Sequence, residues 1–593
     1  MIGNFDLHYQ FAQLFQNEYV RPYAYALSKA MQEGHICLPI EDVPYYLSDS
    51  PFAQNQLEDN WTLMSEVLSQ DVENQTPLLL SDNALYFNRY FQYESRCINA
   101  LSKCIEQEAH LLQDRLLALT ALKPQLLEWF PTASKEQQVP ANIDWQLMAC
   151  LQSYVNQFSI ISGGPGTGKT TTISKLIALL SQQEKPIKLA IAAPTGKAAM
   201  RMKSSLESAA QYFDKSVQTL MNELQPYTIH RLLQYQFNSV EFKYNKNNTL
   251  PLDVLIVDEA SMIDFALMTK LLEAIPTHCR VVFLGDANQL ASVEAGSLFG
   301  DLCKCLEQAT TISEPLWAWY QTQLADTFGP LPNDILPQTP HLLNGHIVQL
   351  IKSHRFKSDS GIAQMAKWVI DQDTTQLKAF TSTADHQVYM ENDLQAVIDA
   401  CVKALGKYIH EGDILQAIRQ FQSVRLLAVT REGPKGLKAI NKSIEQKLAQ
   451  LYGLDIQSEF YMNRPVMLSK NYPELGLFNG DIGIVRTDDK GVKKLWFETA
   501  EQTVKGYMPG YFSACETVFA MTVHKSQGSE FDHVWVVLPD AGADQLMTCE
   551  LLYTAITRGK QSVCIQADQS QLLNAIQRRV KRSSGIIKRL TWA

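Results

Sequence analysis

Residues 158–180 read FSIISGGPGTGKTTTISKLIALL, and their order decides the fold. The apolar run FSIIS ends in Gly163, Gly164, Pro165, Gly166, Thr167 and Gly168. Lys169, Thr170 and Thr171 then open a stretch with apolar residues at helical spacing. Strand, glycine-rich loop and helix in this succession make a phosphate cradle: glycines let backbone N–H groups face the anion, and the helix N-terminus adds favourable potential. The pattern predicts Lys169 at the β/γ-phosphates of a nucleotide and Thr170 at Mg2+.

Working outward, runs of the same texture recur at KLAIAAPT (188–195), DVLIVDEAS (253–261) and RVVFLGD (280–286), with helical stretches between them. Buried strands alternating with helices imply a parallel sheet covered on both faces. Asp258 and Glu259 end the third run as paired carboxylates, Asp258 to orient the metal and Glu259 to polarise an attacking water. Gln289, just past the fourth strand in LGDANQLASVEAGSLF, is placed to sense the γ-phosphate. A second α/β series is expected from about 345, with HIVQLI, SVRLLAVT, TVFAMTV, HVWVVLPD and SVCIQAD. A stretch of strand-and-turn texture without a long helix predicts a small inserted β-domain at about 450–510. QFNSVEFKYNKNNTLPLD, turning at Asn247 and Asn248, predicts a small projecting hairpin near 235–250. PTASKEQQVPAN (131–142) reads as a linker.

The chain has 593 residues, enough for several cores, with 46% apolar and 19% charged residues. No apolar run spans a membrane and the N-terminus shows no secretory pattern, so a cytoplasmic protein without membrane contact is expected. Eleven cysteines without a CxxC pair read as reduced thiols. The net charge of -10 arises entirely in residues 1–115, with sixteen acidic and six basic residues; the rest of the chain carries 46 of each sign. Because polyanion binding depends on local positive surface, the later part is compatible with DNA while the acidic first part is not. Helical runs such as ESRCINALSKCIEQEAHLLQDRLLALTAL make that first part an acidic helical domain. The basic run RRVKRSSGIIKR (578–589) reads as a solvated tail, with DNA or a partner subunit as the alternative.

GGPGTGKT, APTGKAAMR (193–201), TIHRLL (228–233), DEAS, GDANQLASVEAG, SHRF (353–356), TREGPKGLKAIN (430–441), MTVHKSQGSEF (521–531) and LLYTAITRGK (551–560) follow one another in the order of the superfamily 1 helicases. EGHICLPI (33–40) and ALYFNRYFQYESR (84–96) narrow the resemblance to the RecD family, alpha subunits of exodeoxyribonuclease V (RecBCD). That resemblance implies two RecA-like P-loop lobes, 116–345 and 346–593, behind a partner-docking domain, 1–115. It implies an ATP-dependent DNA helicase of 5′ to 3′ polarity with Mg2+ as cofactor. It would act on single strands and duplex ends in double-strand break repair and recombination, with RecB-like and RecC-like subunits in a heterotrimer. Gln146 would read adenine, and Arg355 and Arg558 would reach the γ-phosphate from the second lobe. Gly528 and Glu530 fall on the nucleotide side, and Thr195, Lys197, Thr228, His230, Thr522 and His524 on the DNA. A stand-alone helicase of the superfamily and a non-translocating P-loop switch stay open as alternatives. No nuclease-like acidic cluster is visible.

Overall fold

The acidic N-terminal region, expected to be helical, also contains four short strands: β1 (Cys37–Pro39), β2 (Leu68–Ser69), β3 (Leu78–Ser81) and β4 (Ala84–Phe87), in the sheet order β1-β4-β3-β2. β3 and β4 form a hairpin around Asp82 and Asn83, whose φ angles are +50° and +59°. Asp and Asn tolerate the left-handed backbone that such a tight turn needs. This sheet adds to the expected helices, which are present as Asn88–Glu106 and Glu108–Ala121 among others. The second of these helices also runs across the expected boundary at 115/116, and its Leu116 and Leu119 pack into the core of the first lobe. The computed structural model describes residues 6–590 apart from 54–56, 58, 72, 74, 131–142, 184–185, 237–238, 240, 293, 307–309, 356–359, 382–386, 500–501 and 541–545. The expected linker at 131–142 thus lies outside the described residues.

The first lobe is a six-stranded sheet of β5 (Phe158–Gly163), β6 (Leu189–Ala193), β7 (Pro226–Thr228), β8 (Val254–Val257), β9 (Arg280–Gly285) and β10 (Ile347–Leu350). The order is β10-β5-β9-β8-β6-β7 and every pair is parallel. Residues of β5 and β8 are buried throughout, as a sheet covered on both faces demands. β10 is the HIVQLI run expected to open the second lobe; it instead forms the edge of the first sheet, with Ile347 opposite Ile160. Sequence texture marks a buried strand but does not say which neighbour it pairs with. Near 235–250 the turn at Asn247 and Asn248 is present and exposed. Tyr235 bridges Phe242 and Asn245 bridges Asn248, but Phe242 is buried against the ring of His230, so the described part of this turn lies on the lobe.

The second lobe contains β11 (Val388–Glu391) and β12 (Val424–Ala428). The insertion follows as β13 (Pro465–Leu468), β14 (Ile482–Thr487), β15 (Lys493–Glu498), β16 (Val504–Tyr507) and β17 (Cys515–Thr517). The lobe resumes with β18 (Ala520–Thr522), β19 (Phe531–Val537) and β20 (Gly559–Gln566). Its sheet, β11-β20-β19-β12-β18, is parallel; the insertion is antiparallel, β16-β15-β14-β13-β17, and ends at Thr517, beyond the expected 510. The insertion has its own small core around Val466, Leu468, Leu495 and Phe497. All eleven cysteines are free thiols, and among the described residues no helix is long and apolar enough to cross a membrane.

Candidate nucleotide and nucleic-acid site

In a parallel sheet the loops leaving the carboxyl ends of adjacent strands share one edge. β5, β9 and β8 are consecutive neighbours, so the loop 163–168, the Asp286–Gln289 turn and the Asp258-Glu259 pair meet there although far apart in sequence. Together with residues of the second lobe they wall a cavity of about 460 Å3. Lys169, Thr170, Asp258, Glu259, Gln289, Arg355, Glu530 and Arg558 all line it.

The loop geometry explains its glycines. Gly166 and Gly168 have φ of +76° and +87°; a Cβ on Gly166 would fall 2.3 Å from the Arg355 Cβ, and one on Gly168 2.1 Å from the Gln146 amide. The backbone therefore forms a cradle that side chains would fill. Gln146, from helix Trp145–Val155, donates to the Thr167 carbonyl at 3.0 Å and lies 3.0 Å from His354 Nε2, which puts it beside the cradle. The His354 N–H donates to the Gly166 carbonyl at 2.7 Å. Lys169 Nζ donates to the carbonyls of Gly163 and Gly164 at the start of the loop.

Asp258 follows β8 directly. Burial, reinforced by the neighbouring Glu259 charge, pushes its carboxyl up to about 6, against the pull of Lys169. Glu259 adopts φ +50°, an αL conformation that costs free energy for a side chain of this kind, and such strain concentrates at functional positions. Glu530 shows the opposite balance. Burial works to raise its carboxyl, yet Arg201, Arg355 and Arg558 outweigh burial and hold it at about 2. Its carboxylate pairs with Arg201 from the first lobe and with Arg355 Nη2 at 2.7 Å. Arg558 is buried, donating to the carbonyls of Thr554 at 3.0 Å and Ser529 at 3.1 Å.

An AAA domain model matches residues 146–295 and a UvrD-like helicase C-terminal domain model matches 517–565. The RecBCD enzyme subunit RecD of Haemophilus influenzae is 30% identical over 88% of this chain and 82% of its own length. That of Mycolicibacterium smegmatis is 29% identical over 95% of this chain and 92% of its own. The chain belongs to the RecD family. Among solved structures, Bacteroides Pif1 bound to ssDNA aligns over 73% of this chain and 94% of its own at 14% identity and a TM-score of 0.38.

In this RecD-family chain the expected DNA residues do not line the cavity but fall at or just past strand ends of the two parallel sheets. Thr195 follows β6, Thr228 ends β7 and Thr522 ends β18, and each side-chain oxygen accepts the backbone N–H three residues on, at 3.2, 3.3 and 3.3 Å. His230 is exposed; His524 is half-buried, its pKa lowered by burial and by the charge of Arg582. Lys197 is half-buried, and burial lowers its pKa to about 8, opposed by Asp481 of the inserted sheet. Gly528 sits where the lobes meet: its carbonyl accepts from Arg201 at 2.8 Å, and a Cβ on it would lie 3.8 Å from the Glu259 carboxylate.

Arg201 and His354 lie within APTGKAAMR and SHRF, where the sequence alone assigns neither a role. A signal for Arg201 was present: Ala198, Arg201, Met202, Ser205 and Ala209 recur at helical spacing along Gly196–Ala210 and line the cavity as one face. Tyr553, Thr554 and Gln527, which join the lobes at Asp286 and Leu290, carried no such signal.

Proposed function

We propose that this chain is an ATP-driven DNA helicase motor, one subunit of a RecBCD-type heterotrimer with RecB-like and RecC-like partners, working in the cytoplasm on DNA ends. The observation that carries this reading is a single cavity walled by the loop 163–170 of one lobe and by Arg355, Glu530 and Arg558 of the chain beyond it. A nucleotide held there draws the two parts together, and loss of its γ-phosphate releases them.

The donor set fits Mg2+. The Thr170 hydroxyl and the Asp258 carboxylate, hard oxygen donors lining the same cavity, would hold the ion, which prefers such donors. When bound, the ion neutralises charge on the β- and γ-phosphates. Lys169 and the backbone of the loop hold those phosphates. Glu259 orients the attacking water and takes its proton, while Arg355 and Arg558 supply positive charge where it develops in the transition state. Gln289 senses the γ-phosphate, and Gln146 contacts the base.

Thr195, Lys197, Thr228, His230, Thr522 and His524 hold the sugar-phosphate backbone of a single strand without reading its sequence. Movement is 5′ to 3′, and cleavage of the unwound strand is left to the partner subunits. The test compares ATP hydrolysis with and without single-stranded DNA, then unwinding of duplexes with 5′ or 3′ overhangs. Strong stimulation and a preference for 5′ overhangs are expected; a rate indifferent to DNA would favour a nucleotide switch that does not translocate.

A further inference from the structure

The basic run at 578–589 is not a solvated tail. Its first residues are fixed to the second lobe: the Arg578 carbonyl accepts from the Cys549 N–H at 2.9 Å, the Val580 N–H donates to the Glu550 carboxylate at 3.1 Å, and Arg579 donates to Gln372 at 3.1 Å. From Arg582 onward the contacts are with the first lobe and the N-terminal region. The Ser583 N–H donates to His35 Nδ1 at 3.0 Å, Ser584 Oγ donates to Asp301 at 2.7 Å, and Arg589 donates to the fully buried Glu94 at 3.0 Å. Between the two sets of contacts lies Lys581, so the chain crosses from one lobe to the other in a single residue.

Arg582 stands at that crossing. Its Nη1 donates to the carbonyls of Glu294 at 2.9 Å and Gly296 at 2.8 Å, with Ser292 Oγ at 3.5 Å. The Gly296 N–H donates to the Gly34 carbonyl at 2.9 Å, and a Cβ on Gly34 would lie 2.9 Å from Arg582 Nε. These groups close the segment that starts at Asp286 and carries Gln289. Its opening half is gripped by the second lobe. Tyr553 Oη donates to Asp286 at 2.9 Å, the Leu290 N–H donates to Thr554 Oγ1 at 2.9 Å, and Gln527 donates to the Leu290 carbonyl at 2.7 Å.

We propose that Arg582 is a positioning residue for the ATPase cycle: it anchors the far end of the Gln289 segment to the first lobe and N-terminal region, so that movement of the second lobe acts on Gln289. Without that anchor the second lobe, through Leu290, would carry the segment with it. One terminal nitrogen, Nη1, reaches both carbonyls, and a charged donor makes each bond stronger than a neutral one would. This inference rests on the motor reading above.

The test uses the full-length chain and measures ATP turnover at saturating single-stranded DNA and without DNA, together with KM for ATP and the thermal midpoint. Arg582→Gln is expected to lower the kcat at saturating single-stranded DNA by about tenfold with KM for ATP nearly unchanged. Arg582→Lys is expected to recover part of the loss. Ser584→Ala, which breaks a neighbouring bond of the same strap without touching the segment, is expected to keep the stimulated rate. If wild type shows no stimulation, the motor reading itself fails. If wild type is stimulated but Arg582→Gln is too, or if Ser584→Ala loses as much as Arg582→Gln, the positioning role is refuted. Should Arg582→Gln not fold, Arg582→Lys against Ser584→Ala decides: a stimulated rate no lower in the lysine variant overturns the proposal.

Discussion

Glu530 of the second lobe is ion-paired with Arg201 of the first, and the same carboxylate takes Arg355 at 2.7 Å. One acid thus gathers cations from both sides of the cavity. Its pKa lies at about 2, below the ordinary 4.5, so the folded state favours the ionised form. The stabilisation is present in full above the unfolded value near 4.5 and is lost as pH falls towards 2.

Glu530→Gln is therefore expected to destabilise the protein at neutral pH by about 3 kcal/mol, leaving three arginines with one partner fewer. Thermal melts of both proteins across pH check this. The gap should narrow once the solution is acidic enough to protonate Glu530, and a gap independent of pH would show that packing rather than charge is responsible.

Lys169→Ala should abolish hydrolysis, because no other cation enters the cradle from within the loop. Arg558→Ala should leave nucleotide affinity nearly intact and lower turnover by roughly a thousandfold, the loss seen when a transition-state arginine is removed. Lysine at 558 should not restore the rate, since a point charge cannot reproduce the fork. Binding of a fluorescent nucleotide, measured beside steady-state turnover, separates the two effects.

Glu259 allows stability and activity to be separated. Glu259→Gln keeps the αL backbone at φ +50° and should bind ATP and DNA but turn over slowly. Glu259→Gly removes the side chain and also relieves the strained conformation, so it should be more stable than Glu259→Gln by about 1 kcal/mol while equally inactive. Equal melting of the two would mean that the backbone there stores no strain.

Lys197 offers a pH test of the DNA track. With a pKa lowered to about 8 by burial, it loses charge as the solution turns alkaline, and affinity for single-stranded DNA should weaken through that range. Lys197→Arg should remove the pH dependence, and Lys197→Ala should reduce the slope of log affinity against log salt by about 1. Anisotropy titrations at several salt concentrations read both.

The nucleotide machinery was legible because each part is a short local pattern. Glycines at positive φ, a lysine at a helix start and paired acids at the end of a buried strand are requirements of backbone geometry that any reader of the chain can see. The same holds for the helical face through Ala198, Arg201 and Ser205, though its meaning emerges only beside the cavity.

From the amino-acid order alone came the P-loop architecture, the acidic first region, the inserted sheet and most of the residues that line the cavity. The folded molecule alone decided that HIVQLI closes the first sheet, that Asp82 and Asn83 turn a hairpin in a region dense with helices, and that the basic C-terminal run is a strap docked across both lobes and reaching Glu94. The reason is physical: local signals specify strands, loops and caps. Strand pairing, inter-lobe ion pairs and the docking of a charged segment depend instead on partners hundreds of residues away, whose proximity exists only once the chain has folded.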